Sequence, residues 1–189
     1  QPVLLREVVA SLDCRGGRVY IDGTVGGAGH AFEILKESSP DGLLIGIDAD
    51  AEALHAAEKR LHPFRDRVKL VRGNFADIGD ILLNLNIDRV DGILLDLGVS
   101  SPQLDVATRG FSFAREALLD MRMDSRQAWS ARQLVNTGSE SYLTKIVREY
   151  GEEPRAGKIA RAIVAARRQQ EITSTTELAA IIAAALPAG

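Results

Sequence analysis

Val19-Tyr20-Ile21-Asp22-Gly23-Thr24-Val25-Gly26-Gly27-Ala28-Gly29-His30 is the stretch that decides the fold. A short apolar run ends in an acid and breaks into glycines. A helix-compatible apolar run then follows from Ala31 to Lys36. Strand, glycine turn and helix is how an open α/β sheet offers backbone N–H groups to a ligand at the carboxyl end of its first strand. Gly26, Gly27 and Gly29 keep that backbone approachable, because a Cβ would block the ligand and exclude many turn conformations.

The ligand is not read as a dinucleotide. Gly27 and Gly29 supply G-x-G, but Phe32 stands where the dinucleotide fingerprint needs Gly or Ala. Asp22, the last residue of the strand, puts a carboxylate against the ligand, which suits a cation better than a pyrophosphate. S-adenosylmethionine, with its sulfonium and ammonium, meets that requirement. The alternative is a tight strand–helix turn with no ligand at all.

Outward from this stretch, strands alternate with helices. Apolar residues at 4, 5, 8, 9 and 12 predict a helix over Pro2 to Leu12. Leu43 to Ile47 reads as a second strand ending at Asp48, and Asp50 caps a helix over about 51–61. Val68 to Val71 is a third strand, a helix spans about 77–85, and Val90 to Asp96 holds a fourth strand. This spacing indicates a parallel sheet with right-handed crossovers. The fold class is α/β, a Rossmann-like sheet of order 3-2-1-4. That order leaves the apolar fourth strand at an edge, where an aggregation-prone strand is not expected in a finished protein, so later strands are taken to be missing. Residues 97–128 are irregular, which in a compact domain usually marks function. From Ser130 the pattern is helical only, with Ser130, Ser139 and Ser174 or Thr175 as N-caps. The helix over 154–170 gathers Ile159, Ala162, Ile163 and Ala166 on one face and Lys158, Arg161 and Arg168 on a neighbouring arc. The division is therefore an α/β cofactor domain over 1–104 and a mainly helical domain over 105–189.

Composition narrows the functional classes. The 189 residues are 46% apolar and 26% charged, with a net charge of −3, so bulk charge does not announce a nucleic-acid binder and any such surface is local. One cysteine, Cys14, excludes a disulfide framework, and three scattered histidines make no zinc motif. No membrane span or signal peptide is visible, the reading is cytoplasmic, and both ends look cut from something longer.

Asp48 falls nineteen positions after Gly29, where nucleotide-binding α/β folds place an acid on ribose hydroxyls; a helix-capping acid is the alternative. Phe75, after the third strand, either covers an adenine face or joins the core. Asp96 ends the fourth strand beside the first, so Asp96-Leu97-Gly98-Val99-Ser100-Ser101-Pro102-Gln103 borders cofactor and substrate. Three carboxylates at neighbouring strand tips call for a cationic or hydroxyl-rich ligand. Arg109, Arg115, Arg122 and Arg126, with Phe111 and Phe113, suit phosphates and splayed bases, or else form internal salt bridges with Glu116, Asp120 and Asp124.

These residues resemble the MraW-type methyltransferases. The likeness is carried by Asp22-Gly23-Thr24 with Gly26 to His30, Asp96 to Asp105, Arg109-Gly110-Phe111-Ser112-Phe113 and Leu119 to Asp124. Tyr150-Gly151-Glu152-Glu153 and Ile159 to Ile163 extend it. The resemblance implies S-adenosylmethionine-dependent methylation of the N4 amine of a cytosine in bacterial 16S ribosomal RNA. It implies cofactor contacts from Ala28, Gly29, His30, Asp48, Phe75, Asp96 and Gln103. It also implies that the helical region is an insertion between the fourth and fifth strands. Two departures stand out: the family pattern runs on past residue 189, and Pro154 and Gly157 are unusual, with Pro154 read as a helix start.

The implied chemistry is in-line methyl transfer to a weakly nucleophilic exocyclic nitrogen, which must be aligned and given a hydrogen-bond acceptor. Asp96, or the carbonyls of 97–99, is the candidate acceptor, and Ser100 and Ser101 hold the base edge. Arg109, Phe111, Phe113 and Arg122 are the substrate-side candidates. Cys14 is misplaced for a covalent adduct. No acidic or Asn residue followed by Pro-Pro-aromatic follows the fourth strand, so the base pocket is built differently, and the target base must leave its stack. The expected partner is ribosomal RNA or the small subunit, with no membrane and with oligomeric state open, a homodimer included. Two rivals remain: a non-catalytic RNA-binding or assembly module, and an NAD-dependent oxidoreductase.

Overall fold

The computed structural model describes residues 2–98 and 109–186. Ser100, Ser101 and Gln103 lie outside the described residues. The chain divides into two compact units, Gln1–Gly98 and Val99–Gly189.

The first unit is a parallel sheet of β1 (Val19–Asp22), β2 (Leu43–Asp48), β3 (Val68–Arg72) and β4 (Gly92–Leu94) in the order β3-β2-β1-β4. Its helices are α1 (Leu5–Ser11), α2 (Gly29–Glu37), α3 (Ala51–Leu61) and α4 (Ile78–Asn84). Strand side chains alternate between two faces. Tyr20 and Leu44 pack with Ala31, Ile34 and Leu35 of α2 and Ala57 and Leu61 of α3, all fully buried. Ile21, Ile45 and Ile47 face the other way, onto Ile81 of α4. β4 is an edge as expected, with Ile93 48% and Leu95 43% exposed.

Local chemistry sets the boundaries. Asp50 caps α3 by accepting from the Glu52 N–H. α1 is shorter than the predicted helix from Pro2, because Pro2 and Val3 are drawn onto the glycine turn instead: Pro2 packs against Gly29, and the Val3 carbonyl meets His30 Nε2 at 2.9 Å. β4 is shorter than Val90–Asp96: before its start the Asp91 carboxylate accepts from the Val19 N–H at 2.9 Å, and past its end the Asp96 N–H donates to the Thr24 hydroxyl at 2.7 Å.

The second unit holds α5 (Ala131–Thr137), α6 (Glu140–Glu149), α7 (Ala156–Arg167) and α8 (Thr175–Ala185). The predicted caps are in place. Ser130 forms a capping box with Gln133, Ser139 accepts from the Tyr142 N–H, and Ser174 accepts from the Glu177 N–H. Leu119, Val135, Leu143, Ile159, Ala160, Ile163 and Ile172 form its core. Lys158, Arg161 and Arg168 are exposed, as their arc predicted. Pro154 does not begin α7. It sits in the preceding turn, where the Glu153 carboxylate accepts from the Arg155 N–H, and the helix starts at Ala156. A Cβ on Gly157 would meet only Arg161 Nη1, at 3.9 Å, so no packing demand explains that glycine.

Candidate functional site

The register of the sheet brings the three acids to one end. Asp22 of β1 pairs with Gly46 of β2 and Leu94 of β4, so Asp48 and Asp96 each lie two residues further along the neighbouring strands. Backbone bonds then stitch the turn across the sheet: the Gly23 N–H donates to the Leu94 carbonyl at 2.9 Å, and the Val25 N–H to the Ile47 carbonyl at 3.0 Å.

Side chains complete the frame. Asp22 is 1% exposed and accepts from the Thr24 N–H at 3.2 Å. Burial pushes its carboxyl up to about 6. The Thr24 N–H and nearby His30 pull the other way, and the Asp48 and Asp96 carboxylates add to the rise. The electrostatics thus tie Asp22, His30, Asp48 and Asp96 into one cluster. Asp48 accepts from the Gly26 N–H through Oδ2 and from the Asp50 N–H through Oδ1, each at 2.9 Å. It holds the glycine turn in shape, and a carboxylate oxygen keeps a second lone pair for a ligand hydroxyl. Asp96 is half exposed, and its N–H donates to Thr24 Oγ1 at 2.7 Å. His30 donates through Nε2 to the Val3 carbonyl, leaving Nδ1 4.0 Å from Asp96 Oδ2.

The turn itself is conformationally special. Gly26 has φ 47°, where glycine is free of the Cβ penalty, and buried Ala28 takes φ 57° as the N-cap of α2. A Cβ on Gly23 would meet Leu95 Cδ2 at 2.5 Å and Phe75 Cβ at 3.1 Å, so these two apolar side chains close on the turn from the flanking strand ends. The α2 helix begins at Gly29 rather than near Ala31, so the N–H groups of its first turn, which have no intrahelical acceptor, come from Gly29, His30 and Ala31. A buried carboxylate, acceptor oxygens and an apolar flank at Phe75, 39% exposed, make a donor set suited to a cationic, hydroxyl-bearing ligand with a flat base.

Thr24 is the residue that sequence reasoning missed. It ties two of the acids together, and its only signal was a hydroxyl directly after Asp-Gly. Two of the substrate-side arginines are internally engaged. Arg122 forms a two-pronged pair with Asp120, both bonds 2.8 Å, and donates to the carbonyls of Ser125 and Gln127. Arg109 donates to the carbonyls of Arg122 and Met123. The pairing holds the Asp120 carboxyl below its ordinary range. Arg126 pairs with Asp124 at 2.7 Å. This is the internal salt-bridge alternative for Arg122 and Arg126. Phe113 is 75% exposed and Phe111 half-buried.

The sequence model of the MraW methylase family matches residues 1–189. The chain belongs to the MraW methylase family. It is 60% identical over 189 residues to ribosomal RNA small subunit methyltransferase H of Syntrophus aciditrophicus, covering all of this chain and 60% of that protein. It is 55% identical over 186 residues to ribosomal RNA small subunit methyltransferase H 2 of Agathobacter rectalis, covering 98% of this chain and 59% of that one. The chain thus spans about three-fifths of the length of the curated relatives it matches. Among solved structures, the C-terminal domain of precorrin-6Y C5,15-methyltransferase from Rhodobacter capsulatus is similar at a TM-score of 0.43 and 17% identity, over 61% of this chain and 59% of that one. A place among the MraW methylases accounts for the broken dinucleotide fingerprint at Phe32 and leaves the oxidoreductase alternative without support. S-adenosylmethionine is the cofactor consistent with this family and with the donor set at the strand tips.

Proposed function

We propose that this chain carries the cofactor cradle and helical region of an S-adenosylmethionine-dependent enzyme. It methylates the N4 amine of a cytidine in bacterial small-subunit ribosomal RNA. The observation that carries the reading is the convergence of Asp22, Asp48 and Asp96 at adjacent strand tips around a turn of bare backbone, with Asp22 buried and raised to about 6. An isolated cluster of carboxylates is costly, and a cationic ligand relieves it. The names of the relatives, ribosomal RNA small subunit methyltransferases, support the substrate class.

When bound, the cofactor supplies an electrophilic sulfonium methyl group. The chain's own residues bind and orient. Asp22 offers charge to the cation from beneath the turn, and Asp48 accepts from the ribose hydroxyls while fixing Gly26. Phe75 lies against the adenine, and Gly26, Ala28, Gly29, His30 and Gln103 complete the cradle. The cytosine amine is a weak nucleophile because its lone pair is delocalised into the ring. Asp96 accepts a hydrogen bond from its N–H as the nitrogen pyramidalises, and the Thr24 hydroxyl holds the Asp96 backbone for that task. Ser100 and Ser101 hold the edge of the base. Arg109, Phe111, Phe113 and Arg122 shape the RNA side, Arg109 and Arg122 by bracing the loop that presents the aromatics.

Calorimetry with S-adenosylmethionine on the chain and on Asp96→Asn and Asp48→Ala variants tests the cradle. Binding is expected for the parent and is weakened in both variants. Equal affinity in all three refutes the assignment. Mass spectrometry of ribosomal RNA after incubation tests the target: N4-methylcytidine is expected, and methylation only at ring carbon refutes the N4 reading.

A further inference from the structure

We propose that the His30 ring takes up, through Asp96, the proton that methyl transfer releases, and that the N-terminal strap Pro2-Val3 holds the ring in the tautomer able to do so. The inference rests on the amine-methylating reading above and deepens it. That reading gives Asp96 a hydrogen bond to accept and leaves the proton without a destination.

The strap leads to one bond. The ladder of α1 begins at the Leu4 carbonyl, which accepts from the Val8 N–H at 2.9 Å, so the Val3 carbonyl is left for the ring. Leu4 turns the chain there with φ 51°. Pro2 is seated on Gly29, where any Cβ would collide with the proline ring. The Val3 carbonyl then meets His30 Nε2 at 2.9 Å. A carbonyl only accepts, so Nε2 carries the hydrogen and the neutral ring presents a bare lone pair at Nδ1. Nδ1 lies 4.0 Å from Asp96 Oδ2. Two acceptors confront each other, and the contact becomes attractive when one proton enters between them. Catalytic hydrogen bonds often begin long and tighten around the substrate. The His30 side chain is 8% exposed and that of Asp96 52%, so Asp96 is the member open to substrate and water.

The charged groups facing the ring are acids. Asp22 of β1 feels the charge of His30, and Asp48 and Asp96 complete the cluster. Charged groups on the flanking helices are directed elsewhere. Glu33 of α2 pairs with Lys36 at 3.1 Å, and Arg60 of α3 donates to the Gly27 carbonyl at 3.2 Å. Arg6 and Glu7 of α1 are exposed, with no ion pair to the ring among the described residues. The proton balance follows. The amine lone pair becomes the new N–C bond, the old S–C pair stays on sulfur, and the nitrogen is left with one proton too many. Asp96 takes that proton and hands it to Nδ1, while Nε2–H stays on Val3. The methylated base leaves neutral, and the proton returns to water through Asp96. His30 touches no substrate atom, so it is a positioning residue acting through Asp96.

The first test reads the ring nitrogens of the chain by proton–nitrogen NMR across pH, with His55 and His62 as internal references. A neutral His30 ring protonated at Nε2 alone is expected. In Asp96→Asn the ring is expected to hold its added proton about fivefold less tightly, the effect of a unit charge 4.0 Å away in water. A neutral ring protonated at Nδ1, or a proton affinity unchanged in Asp96→Asn, overturns the proposal. The second test uses His30→Gln, whose amide still donates to the Val3 carbonyl and whose main-chain N–H still serves the cradle, but which takes no proton. Its S-adenosylmethionine affinity in calorimetry is expected to stay near the parent's, and lost affinity overturns the proposal by making the ring part of the cradle's architecture. In the enzyme that carries this chain, kcat is expected to fall roughly a hundredfold with KM little changed, and the limb of the pH profile set by His30 is expected to vanish. An unchanged kcat, or a profile of the parent's shape, overturns the relay. If cofactor binding and Asp96 dependence persist in that case, the functional reading stands without it; if that enzyme binds cofactor and yields no methylated amine, both fall.

Discussion

Replacing Asp22 with Asn should make the α/β unit more stable and its cradle weaker. Asp22 is 1% exposed, and its carboxyl moves from an ordinary 3.8 to about 6, chiefly through burial. At about 1.4 kcal/mol per tenfold change in proton affinity, ionised Asp22 costs the folded chain about 3 kcal/mol at neutral pH. The sign follows from proton counting. Between about pH 4 and 6 the folded chain holds the Asp22 proton more tightly than the unfolded chain does. The contribution of Asp22 to stability is therefore greatest in acid, falls as pH rises through that window, and is constant above it. Asn keeps an oxygen to accept from the Thr24 N–H and has no charge to desolvate. Urea unfolding of parent and Asp22→Asn should show a small difference near pH 4, growing to about 3 kcal/mol in favour of the variant at pH 7.5. Calorimetry should show the same variant losing S-adenosylmethionine affinity. A variant less stable than the parent at pH 7.5, or a difference independent of pH, would refute the account of Asp22 as a desolvated carboxylate kept for its ligand.

Other substitutions read different parts of the structure. Gly23→Ala places a methyl 2.5 Å from Leu95 Cδ2 and 3.1 Å from Phe75 Cβ. It should push both side chains off the turn and reduce cofactor affinity in calorimetry, with the helical unit's thermal transition unchanged. Asp48→Asn turns an amide N–H₂ toward the Gly26 or Asp50 N–H. The lost acceptor should cost about 1–3 kcal/mol, and hydrogen exchange at Gly26 should speed up. Ile163→Ala empties a 3%-exposed position in the helical core and should cost about 2–5 kcal/mol in chemical denaturation.

Most of the sheet was legible because each strand announced itself by an apolar run closed by an acid or a turn. Asp50 and the helix it caps show the same clarity, since a cap and a periodic face agree there. What escaped were features decided by distant partners. Nothing local says that Pro2 and Val3 leave the α1 helix, because the cause is His30 and Gly29, far along the chain. The early start of α2 depends on Ala28 accepting a left-handed conformation, which composition does not reveal. For Arg122 the sequence left a nucleic-acid contact and an internal salt bridge both open, and the bonds to Asp120, Ser125 and Gln127, all near in the chain, bear out the salt bridge. The three strand-tip acids were legible from position alone. Thr24 was not, since its importance lies in a bond to the backbone seventy-two residues away.

Thr24 has a consequence for any attempt to move this turn elsewhere. It gives its own N–H to one acid and takes the N–H of another, so two strands distant in sequence are fastened by a single side chain and its amide. A graft of residues 19–30 into a foreign sheet would import the glycines but leave the threonine's oxygen facing whatever strand the host supplies. The portable unit is a pair of strand ends, and a designer who copied only the contiguous motif would inherit its shape without its anchor.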